Sequence, residues 1–237
     1  MRELILADRV QECSDVVSFY FKAKDGGKLP KHAAGQFLPF KIQTEDEKYK
    51  DVMRTYSLSN APNEFIYRIS VKKIEGGLIS SYLHDKLKVG DAIEAMDPAG
   101  VFVCNTPSDK PLVLLSGGIG ITPLLSMLFV EISKRDNIHI VQAVQNSKVH
   151  PFKEDIARIA ELKGLNNTVF YSAPLECDKL GENYDYDGFV TKEFISNNLP
   201  LDGDFYFCGP PIFMKSLEQH LLDLGVSSDN IHYEFFS

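Results

Sequence analysis

A short apolar segment followed by glycines constrains the fold of this chain more than any other stretch. Residues 112–115 are four consecutive apolar residues, one of them β-branched, which is typical of a strand buried on both faces of a parallel sheet. Glycines follow at positions 117, 118 and 120, and Thr122 and Pro123 suit the N-cap and the first position of a helix. The pattern predicts a strand, a glycine turn and a helix N-terminus, where unpaired N–H groups can bind phosphate. Pro123 stands where a dinucleotide fingerprint has its third glycine, so glycines that serve packing alone are the alternative.

The second half of the chain alternates strands and helices throughout. Predicted strands cover residues 112–116, 138–144, 168–172, 204–208 and 231–236, and predicted helices cover 123–134, 153–162, 191–197 and 210–224. The segment 173–187 is predicted to be a long loop. This alternation predicts an α/β domain with a five-stranded parallel sheet, doubly wound with helices on both faces. The glycine turn and residues 208–211 both follow strands, and ligands of such sheets bind at the carboxyl ends, so a nucleotide site is expected there.

The first half has a different pattern of predicted elements, with short strands and a single helix. Predicted strands cover residues 4–10, 16–23, 36–43, 52–59, 65–73 and 92–96, and the helix covers 78–87. Six short strands at this spacing predict a closed antiparallel β-barrel with one helix. The polar segment 104–111 contains two prolines and separates the halves, so we predict domains at 1–106 and 107–237.

Composition excludes several classes of protein. The formal net charge of −8 argues against binding to nucleic acid, and no apolar run approaches the roughly 20 residues that a membrane span needs. The four cysteines are too scattered for a zinc or iron–sulfur centre, so no metal site is predicted. Acidic residues interrupt the apolar run at the N-terminus, unlike a signal peptide, and a reduced, cytoplasmic protein is expected.

Two segments of the first half contain residue types that bind phosphates or flat rings. On a strand, Arg54 and Tyr56 would share one face and Thr55 and Ser57 the other. An arginine beside an aromatic ring and hydroxyls could hold a phosphate and a planar group, although an ordinary barrel strand is the alternative. The glycine turn at Gly77 precedes the predicted helix and is a second candidate anion site, or a plain turn.

Four motifs together resemble the ferredoxin–NADP reductase-like flavoprotein superfamily, and the reductase module of flavohaemoglobins in particular. They are, in chain order, Arg54-Thr55-Tyr56-Ser57, Gly77-Leu78-Ile79-Ser80, the turn from Gly117 to Pro123, and Cys208-Gly209-Pro210-Pro211, with Ile231 to Phe236 as a further likeness to flavohaemoglobins. The resemblance covers nearly the whole chain. It implies that the barrel binds FAD and that the α/β domain binds NAD(P)H.

The resemblance implies a role for each barrel motif. It assigns Arg54 to the FAD pyrophosphate, Tyr56 to the face of the isoalloxazine ring, and Ser57 to a hydrogen bond near the reactive nitrogen of that ring. The implied pyrophosphate turn consists of Gly77, Leu78, Ile79 and Ser80. Two positions of the implied FAD site depart from the family pattern: Phe37 stands where these reductases often carry tyrosine, and Thr55 replaces a common glutamine.

The resemblance also implies a nicotinamide nucleotide site and a group of catalytic positions. The implied nucleotide-binding residues are Gly118, Gly120, Ile121, Thr122, Pro123, Cys208, Gly209 and Pro210. Cys208 would line the nicotinamide pocket, and Glu234 and Phe236 would face the flavin, with Phe236 shielding the ring until nicotinamide displaces it. The implied catalytic positions are Ser57, Cys208, Glu234 and Phe236.

The resulting hypothesis is an FAD-dependent NAD(P)H oxidoreductase that takes a hydride from NAD(P)H and passes electrons to a separate acceptor. The sequence has no globin ahead of Met1 and no clustered cysteines, so the expected acceptor is a separate haemoglobin, ferredoxin or oxygenase component. Lys148 is the one cation in the segment 146–148, where a 2′-phosphate would bind, which favours NADH. A free-flavin or ferric reductase, and a flavin-binding subunit or redox sensor without turnover, are the alternatives.

Overall fold

The computed structural model describes residues 1–104 and 108–235, which form two six-stranded sheets in succession. The predicted domain division between residues 106 and 107 lies outside the described residues. The predicted fold class is confirmed, with an antiparallel sheet followed by a parallel sheet that carries helices.

The first sheet is an antiparallel barrel with one helix. Its elements are β1 (Arg2–Cys13), β2 (Val16–Ala23), β3 (Phe37–Ile42), β4 (Met53–Ser57), β5 (Tyr67–Lys72), α1 (Leu78–Asp85) and β6 (Ala92–Ala95). The strand order is β4-β3-β6-β1-β2-β5, and an antiparallel bridge between Leu58 and Ile69 joins the two edge strands. Fully buried side chains such as Phe19, Phe21 and Phe40 fill the interior, and each contributes about 1.5–3 kcal/mol.

The second sheet is parallel throughout and lies between two layers of helices. Its elements are β7 (Leu112–Gly117), α2 (Ile121–Glu131), β8 (Ile138–Val144), α3 (Lys153–Lys163), β9 (Asn166–Tyr171), β10 (Tyr186–Asp187), α4 (Lys192–Asn198), β11 (Asp204–Cys208), α5 (Pro211–Asp223) and β12 (Ile231–Tyr233). The strand order is β10-β9-β8-β7-β11-β12. Leu112 and Leu114 of β7 pack in a cluster with α2 and α3, whereas Val113 and Leu115 pack with α4 and α5. Because successive side chains of a strand point to opposite faces, this arrangement explains the uninterrupted apolar sequence.

The sheet has six strands rather than the predicted five, because β10 lies within the segment predicted to be a long loop. The extra strand is two residues long, too short to show the alternation that identifies a strand in sequence. The Tyr186 ring stacks on Phe170 of β9, with centroids 4.9 Å apart, and this contact fixes the segment against the sheet edge.

Threonine caps one of two helices for which the sequence offers a threonine at the start. Thr191 caps α4, since its hydroxyl accepts a hydrogen bond from the Phe194 amide at 3.1 Å. Thr122 was predicted to cap α2, but the N-cap is Gly120 and Thr122 lies inside the helix. A single 3₁₀ turn over Gly118–Gly120 begins the winding early, and the Thr122 hydroxyl donates back to the Ile119 carbonyl at 3.0 Å.

Hydrogen bonds join the two domains at α2 and at the segment before α3. The Ser126 hydroxyl of α2 donates to the Asn60 carbonyl of the barrel at 2.7 Å. On the other side, the Ser14 amide donates to the Lys148 carbonyl at 3.0 Å. These bonds fix the position of the barrel relative to the carboxyl ends of β7 and β8.

Arg68 of β5 is a buried polar residue that also contacts the α/β domain. Its guanidinium donates to the Ser59 hydroxyl at 2.9 Å and to the Ser59 carbonyl, so it is anchored in the barrel. The guanidinium carbon lies 5.1 Å from the ring centroid of Phe152 and 6.0 Å from that of Phe129, both in the α/β domain. Cation–π contacts of this kind stabilise by about 0.5–2 kcal/mol, so the barrel is held against α2 and α3.

Candidate functional site

A cleft of about 540 Å³ lies between the barrel and the α/β domain. The residues that line it are Phe37, Arg54, Thr55, Tyr56, Ser57, Ser70, Lys72, Ile74, Gly77, Leu78, Ile79, Ser80, Ile119, Thr122, Glu234 and Phe235. Every barrel residue that the motifs single out therefore lies in one place, although the residues come from β3, β4 and the start of α1. The α/β domain contributes its glycine turn and its C-terminal segment to the opposite wall.

The β4 segment forms the barrel wall of the cleft, and its side chains become more buried along the strand. Arg54 and Thr55 are exposed, Tyr56 is half-buried, and Ser57 is buried. The Arg54 guanidinium donates to the carbonyl of its neighbour Met53 at 2.8 Å, and in the described part of the chain it forms no salt bridge with a carboxylate. An arginine in this state can bind an anionic ligand without first breaking an ion pair.

Tyr56 is held in a fixed orientation by the barrel interior. Its ring stacks on Phe40 with centroids 5.7 Å apart and planes inclined by 28°. Burial raises the pKa of Tyr56 to about 12, so the phenol is neutral at physiological pH. The wall thus presents an oriented neutral ring next to the Ser57 hydroxyl, which suits contact with a planar ligand.

The turn before α1 has unused hydrogen-bond donors. Gly77 is the N-cap of α1 and provides no side-chain bond to the helix, so the first amides of the helix have no partner from a capping side chain. A Cβ atom at Gly77 would lie 2.5 Å from the Ser80 hydroxyl oxygen and 3.0 Å from both the Cβ and the carbonyl oxygen of Ile74, so the turn is closely packed at this position. Free amides at a helix N-terminus bind phosphate, and this turn faces the cleft beside Arg54. The described residues therefore fit the pyrophosphate of a dinucleotide.

The glycine turn after β7 is tightly packed rather than open. A Cβ atom at Gly120 would lie 2.0 Å from the Cys208 carbonyl oxygen, and one at Gly209 would lie 2.8 Å from the Gly117 Cα. Close packing, the alternative role considered for these glycines, is therefore observed at Gly120. Gly118 differs, because its φ of +54° is in the left-handed region and nothing lies within 4 Å of its Cβ position. The open side of the turn is at Gly118, and a phosphate can approach there.

The Cys208 side chain contacts the backbone of Glu234. The Cys208 thiol lies 3.4 Å from the Glu234 carbonyl oxygen, and burial followed by the nearby Glu234 carboxylate raises the pKa of that thiol. The thiol is therefore neutral and unsuited to act as a nucleophile. Burial also raises the pKa of the Glu234 carboxyl, which does line the cleft.

Several predicted site residues do not line the cleft. Thr122 lines the cleft, whereas the other predicted nucleotide-binding residues of the described α/β domain do not, namely Gly118, Gly120, Ile121, Pro123, Cys208, Gly209 and Pro210. Phe236 lies outside the described residues. Its neighbour Phe235 is 45% exposed and lines the cleft.

Sequence reasoning missed five lining residues, namely Ser70, Lys72, Ile74, Ile119 and Phe235. Alternation on the predicted strand 65–73 does place Ser70 and Lys72 on the same face. Barrel closure brings that strand beside β4, so a prediction of closure combined with alternation contains the signal for these two residues.

Two family models match successive parts of the chain. The oxidoreductase FAD-binding domain matches residues 3–104, and the oxidoreductase NAD-binding domain matches residues 114–219. Among curated relatives, the flavohemoprotein of Bacillus thuringiensis subsp. konkukian is 43% identical over 244 residues, which is 99% of this chain and 60% of that protein. The flavohemoprotein of Bacillus subtilis is 37% identical over 238 residues, which is 99% of this chain and 59% of that protein. The chain thus spans about 60% of the length of these relatives.

Solved structures agree with these matches. The flavohem-like FAD/NAD-binding domain of nitric oxide dioxygenase from Vibrio cholerae O1 biovar El Tor has a TM-score of 0.89 and 32% identity, covering 99% of this chain and 98% of that one. The ferredoxin reductase in carbazole 1,9a-dioxygenase has a TM-score of 0.86 at 21% identity, covering 100% of this chain and 69% of that one, and so shows the fold alone.

The fold and the cleft define an NAD(P)H-dependent flavoprotein oxidoreductase whose cofactors are FAD and NAD(P)H. The chain belongs to the family of FAD- and NAD-binding reductase modules found in flavohaemoproteins. No helix within residues 1–104 and 108–235 is long and apolar enough to span a membrane.

Proposed function

We propose that this module moves a hydride from NAD(P)H to FAD in the cleft between its domains and delivers the electrons to a separate redox protein. The observation that carries the proposal is the meeting of Arg54–Ser57, Gly77–Ser80, Thr122 and Glu234 around one cleft, although they come from four separate segments of the chain. Holding two reacting groups at near-attack distance is the main contribution that a protein makes to such a transfer.

The barrel wall would hold the pyrophosphate of FAD. Arg54 supplies a planar guanidinium without a carboxylate partner in the described residues, and the start of α1 supplies the amides of residues 78–80, which receive no bond from a capping side chain. The guanidinium can donate two hydrogen bonds at once, and the helix N-terminus can donate others, so both can bind the pyrophosphate with its two negative charges.

The same wall would orient the isoalloxazine ring. Tyr56, held by its stack on Phe40, supplies a flat neutral surface, and Ser57 supplies a hydroxyl for the reactive nitrogen. Phe37 lines the cleft and retains the ring of the usual tyrosine without its hydroxyl, while Thr55 adds a second hydroxyl at the open rim.

The α/β wall would bind the nicotinamide nucleotide. Gly118 leaves the turn open to a phosphate, and the tight packing of Gly120 on Cys208 fixes the position of the turn relative to β11. The turn would be completed by Ile121, Thr122 and Pro123, and the pocket behind it by Gly209 and Pro210. Cys208, as a neutral thiol, would shape the nicotinamide pocket, and Glu234 and Phe236 would complete the flavin side, with Phe236 covering the ring until nicotinamide arrives.

The donor is proposed to be NADH. The segment after β8 carries Lys148, but the Asp178 carboxylate accepts a hydrogen bond from the Ser147 amide at 3.2 Å. Hydrogen bonds from Ser147 and Leu175 lower the pKa of Asp178 against the opposing effect of desolvation, so the carboxyl is ionised. A negative charge at this position opposes a 2′-phosphate, which favours NADH over NADPH.

The acceptor is proposed to be a haemoglobin, a ferredoxin or an oxygenase component, with the reaction in the cytoplasm. The relatives named flavohemoprotein support a haem protein, and a ferredoxin or an oxygenase component is the alternative acceptor. The chain covers about 60% of the flavohemoproteins, so the part of those relatives that it does not match is a natural candidate for the acceptor.

The visible spectrum of the purified protein tests this function directly. We expect a yellow protein that anaerobic NADH bleaches faster than NADPH. A colourless protein that oxidises NADH only when flavin is added would instead be a free-flavin or ferric reductase. A yellow protein that neither nucleotide bleaches would be a flavin-binding subunit or redox sensor without turnover.

A further inference from the structure

Glu234 and Phe235 line two cavities at once. Both residues line the cleft between the domains, and both also line a groove of about 580 Å³. The groove is further lined by residues 101–103, Tyr206 and residues 231–233. Glu234 and Phe235 follow the last residue of β12, a three-residue strand at the edge of the sheet. Since a second cavity adjoins these two residues, their position at the cleft depends on how the chain next to them is anchored.

Tyr233, the residue before this pair, is anchored on both β11 and α5. Its ring stacks on Phe207 of β11, with centroids 5.1 Å apart and planes inclined by 26°. Phe207 is fully buried and therefore a fixed support. The Tyr233 hydroxyl donates a hydrogen bond to Oε1 of Glu218 on α5 at 2.7 Å. A hydrogen bond to a carboxylate is stronger than one between neutral groups, so both the face of the ring and its hydroxyl are held.

Tyr233 passes this anchoring on to Glu234 and Phe235. The Phe235 ring meets the Tyr233 ring edge to face, with centroids 5.5 Å apart and planes inclined by 83°. Glu234, between them, is held through its backbone, because its carbonyl oxygen accepts a hydrogen bond from the Cys208 thiol at 3.4 Å. Tyr233 lines the groove and not the cleft, so it acts on the cleft only through its neighbours.

The supports of Tyr233 also flank the segment 208–210, which is proposed to bind the nicotinamide nucleotide. Phe207 directly precedes this segment, and Glu218 lies on the helix that follows it. The nucleotide segment and the pair of residues after Tyr233 are therefore attached to the same strand and helix. Their relative position is fixed as long as Tyr233 stays bound to both.

We infer that Tyr233, held by Glu218, is a positioning residue that keeps Glu234 and Phe235 in place beside the nicotinamide in the cleft. The inference rests on the proposed function, in which a hydride passes from NAD(P)H to FAD in that cleft. Such a transfer is sensitive to distance, and a misplacement of about 1 Å can lower its rate by about a hundredfold. Without the anchor, Glu234 and Phe235 can shift towards the groove, and the nicotinamide is less closely confined beside the flavin.

Rapid-mixing measurements of flavin bleaching by NADH in the holoprotein test this role. We expect Tyr233→Phe, which removes only the hydroxyl, to lower the limiting rate of bleaching about tenfold while the Kd for FAD keeps its wild-type value. Glu218→Ala should slow bleaching to a similar extent, whereas Glu218→Gln retains a carbonyl acceptor and should keep most of the rate. Asp223→Asn, which removes an exposed ion pair with Lys192 from the same helix, is the control and should bleach at the wild-type rate.

A double variant tests whether Tyr233 and Glu218 act together. If the hydroxyl works through this carboxylate, Tyr233→Phe combined with Glu218→Ala should be no slower than either single variant. Effects that multiply in the double variant would show that the two residues act independently, and would contradict the anchoring.

Two measurements without turnover separate positioning from a general loss of stability. Reduced flavin stacked on NAD⁺ absorbs at long wavelength, and this band should weaken in Tyr233→Phe at saturating nucleotide and persist in Glu218→Gln. In the apoprotein, hydrogen exchange should be faster at residues 231–235 of Tyr233→Phe and unchanged in β8. A wild-type bleaching rate and a wild-type band in Tyr233→Phe, or equal slowing in Asp223→Asn, would overturn the positioning role.

The behaviour of the wild-type protein keeps the two proposals distinguishable. A yellow wild type that NADH bleaches, with Tyr233 and Glu218 variants that behave like it, contradicts the positioning role alone. A wild type that retains no flavin, or that neither nucleotide bleaches, contradicts the proposed function, and the positioning role with it.

Discussion

The two glycine turns of this chain look alike in sequence and differ in what their glycines do. Both the turn at Gly77 and the turn at Gly118–Gly120 precede a helix N-terminus. At Gly77 the glycine precedes helix amides that no side chain caps, and the nearest obstacle to a Cβ is the Ser80 hydroxyl at 2.5 Å, followed by Ile74 at 3.0 Å. At Gly120 the glycine allows two backbone segments to touch, and the obstacle is the Cys208 carbonyl. A glycine turn in sequence thus marks either a ligand site or a packing contact.

The largest effect is expected from Gly120→Ala. Its Cβ would overlap the backbone of Cys208, which cannot move without shifting β11, so the free energy of unfolding should fall by about 3 kcal/mol or more. Urea denaturation of the purified variant measures this loss. Gly118→Ala is the matched control, with strain at a positive φ but no overlap, and should lose about 1–2 kcal/mol. Equal losses in the two variants would contradict the distinction between the packed and the open glycine.

Arg54→Ala should weaken FAD binding without unfolding the barrel. Removing charge-assisted bonds to the pyrophosphate costs about 1.5–3 kcal/mol, which corresponds to roughly a ten- to hundredfold rise in the Kd for FAD. Fluorescence titration of the apoprotein with FAD gives that constant. Arg158→Ala removes an exposed arginine from α3 and serves as the control. Full FAD affinity in Arg54→Ala would remove this residue from the site.

Acid should destabilise the α/β side of the molecule through His150. Its ring bonds Gln142 at 3.0 Å and Tyr171 at 3.1 Å, and burial lowers the pKa of His150 to about 4. The unfolded chain takes up a proton near pH 6.5 and the folded protein only near pH 4. Stability from the neutral ring is therefore complete above pH 6.5 and is lost as the pH falls towards 4, by about 3 kcal/mol.

Urea midpoints measured across this pH range test the contribution of His150. His150→Gln should start less stable at pH 7 and should show a flatter dependence on pH. An identical slope in the variant and the wild type would show that other groups cause the acid sensitivity.

The smallest effect on stability is expected from Gly77→Ala. Its φ of −67° is ordinary, but the new methyl group would lie 2.5 Å from the Ser80 hydroxyl oxygen and 3.0 Å from the Cβ and the carbonyl oxygen of Ile74. The free energy of unfolding should fall by about 1 kcal/mol or less, because reduced freedom of the unfolded chain offsets part of the crowding. FAD affinity should nevertheless fall several-fold, since the methyl group displaces Ser80 and Ile74, which line the cleft. Thermal unfolding and FAD titration on one sample separate these effects, and a large loss of stability with intact affinity would make Gly77 a packing glycine.

Much of the architecture was predictable because both sheets have strong periodic patterns. Alternate side chains of residues 112–115 pack against the two different helix layers. β2, β8 and β11 begin and end at the predicted residues. β10 was not predictable, because its position depends on the stacking of Tyr186 on Phe170 rather than on a pattern in its two residues. The cap of α2 was misplaced because backbone winding at Gly118–Gly120 decides where the helix starts.

The candidate site was predictable to the extent that its motifs are continuous in sequence. Arg54–Ser57 and Gly77–Ser80 each form one continuous part of the cleft wall, so the sequence of each segment was enough to predict that its residues lie together. Ser70 and Lys72 reach the cleft through barrel closure, which is a long-range property of the sheet. The close approach of Gly120 to the Cys208 carbonyl was not predictable, because sequence gives no distance between two turns.

The contacts of Arg68 with two aromatic rings should limit motion between the two domains. A twisting motion between the barrel and the α/β domain would have to slide the Arg68 guanidinium off the Phe152 and Phe129 rings while the same group stays hydrogen-bonded to Ser59. Such a joint has high torsional stiffness. Thermal fluctuations of the gap should therefore be small, and nucleotides should enter along the groove rather than through a hinged opening.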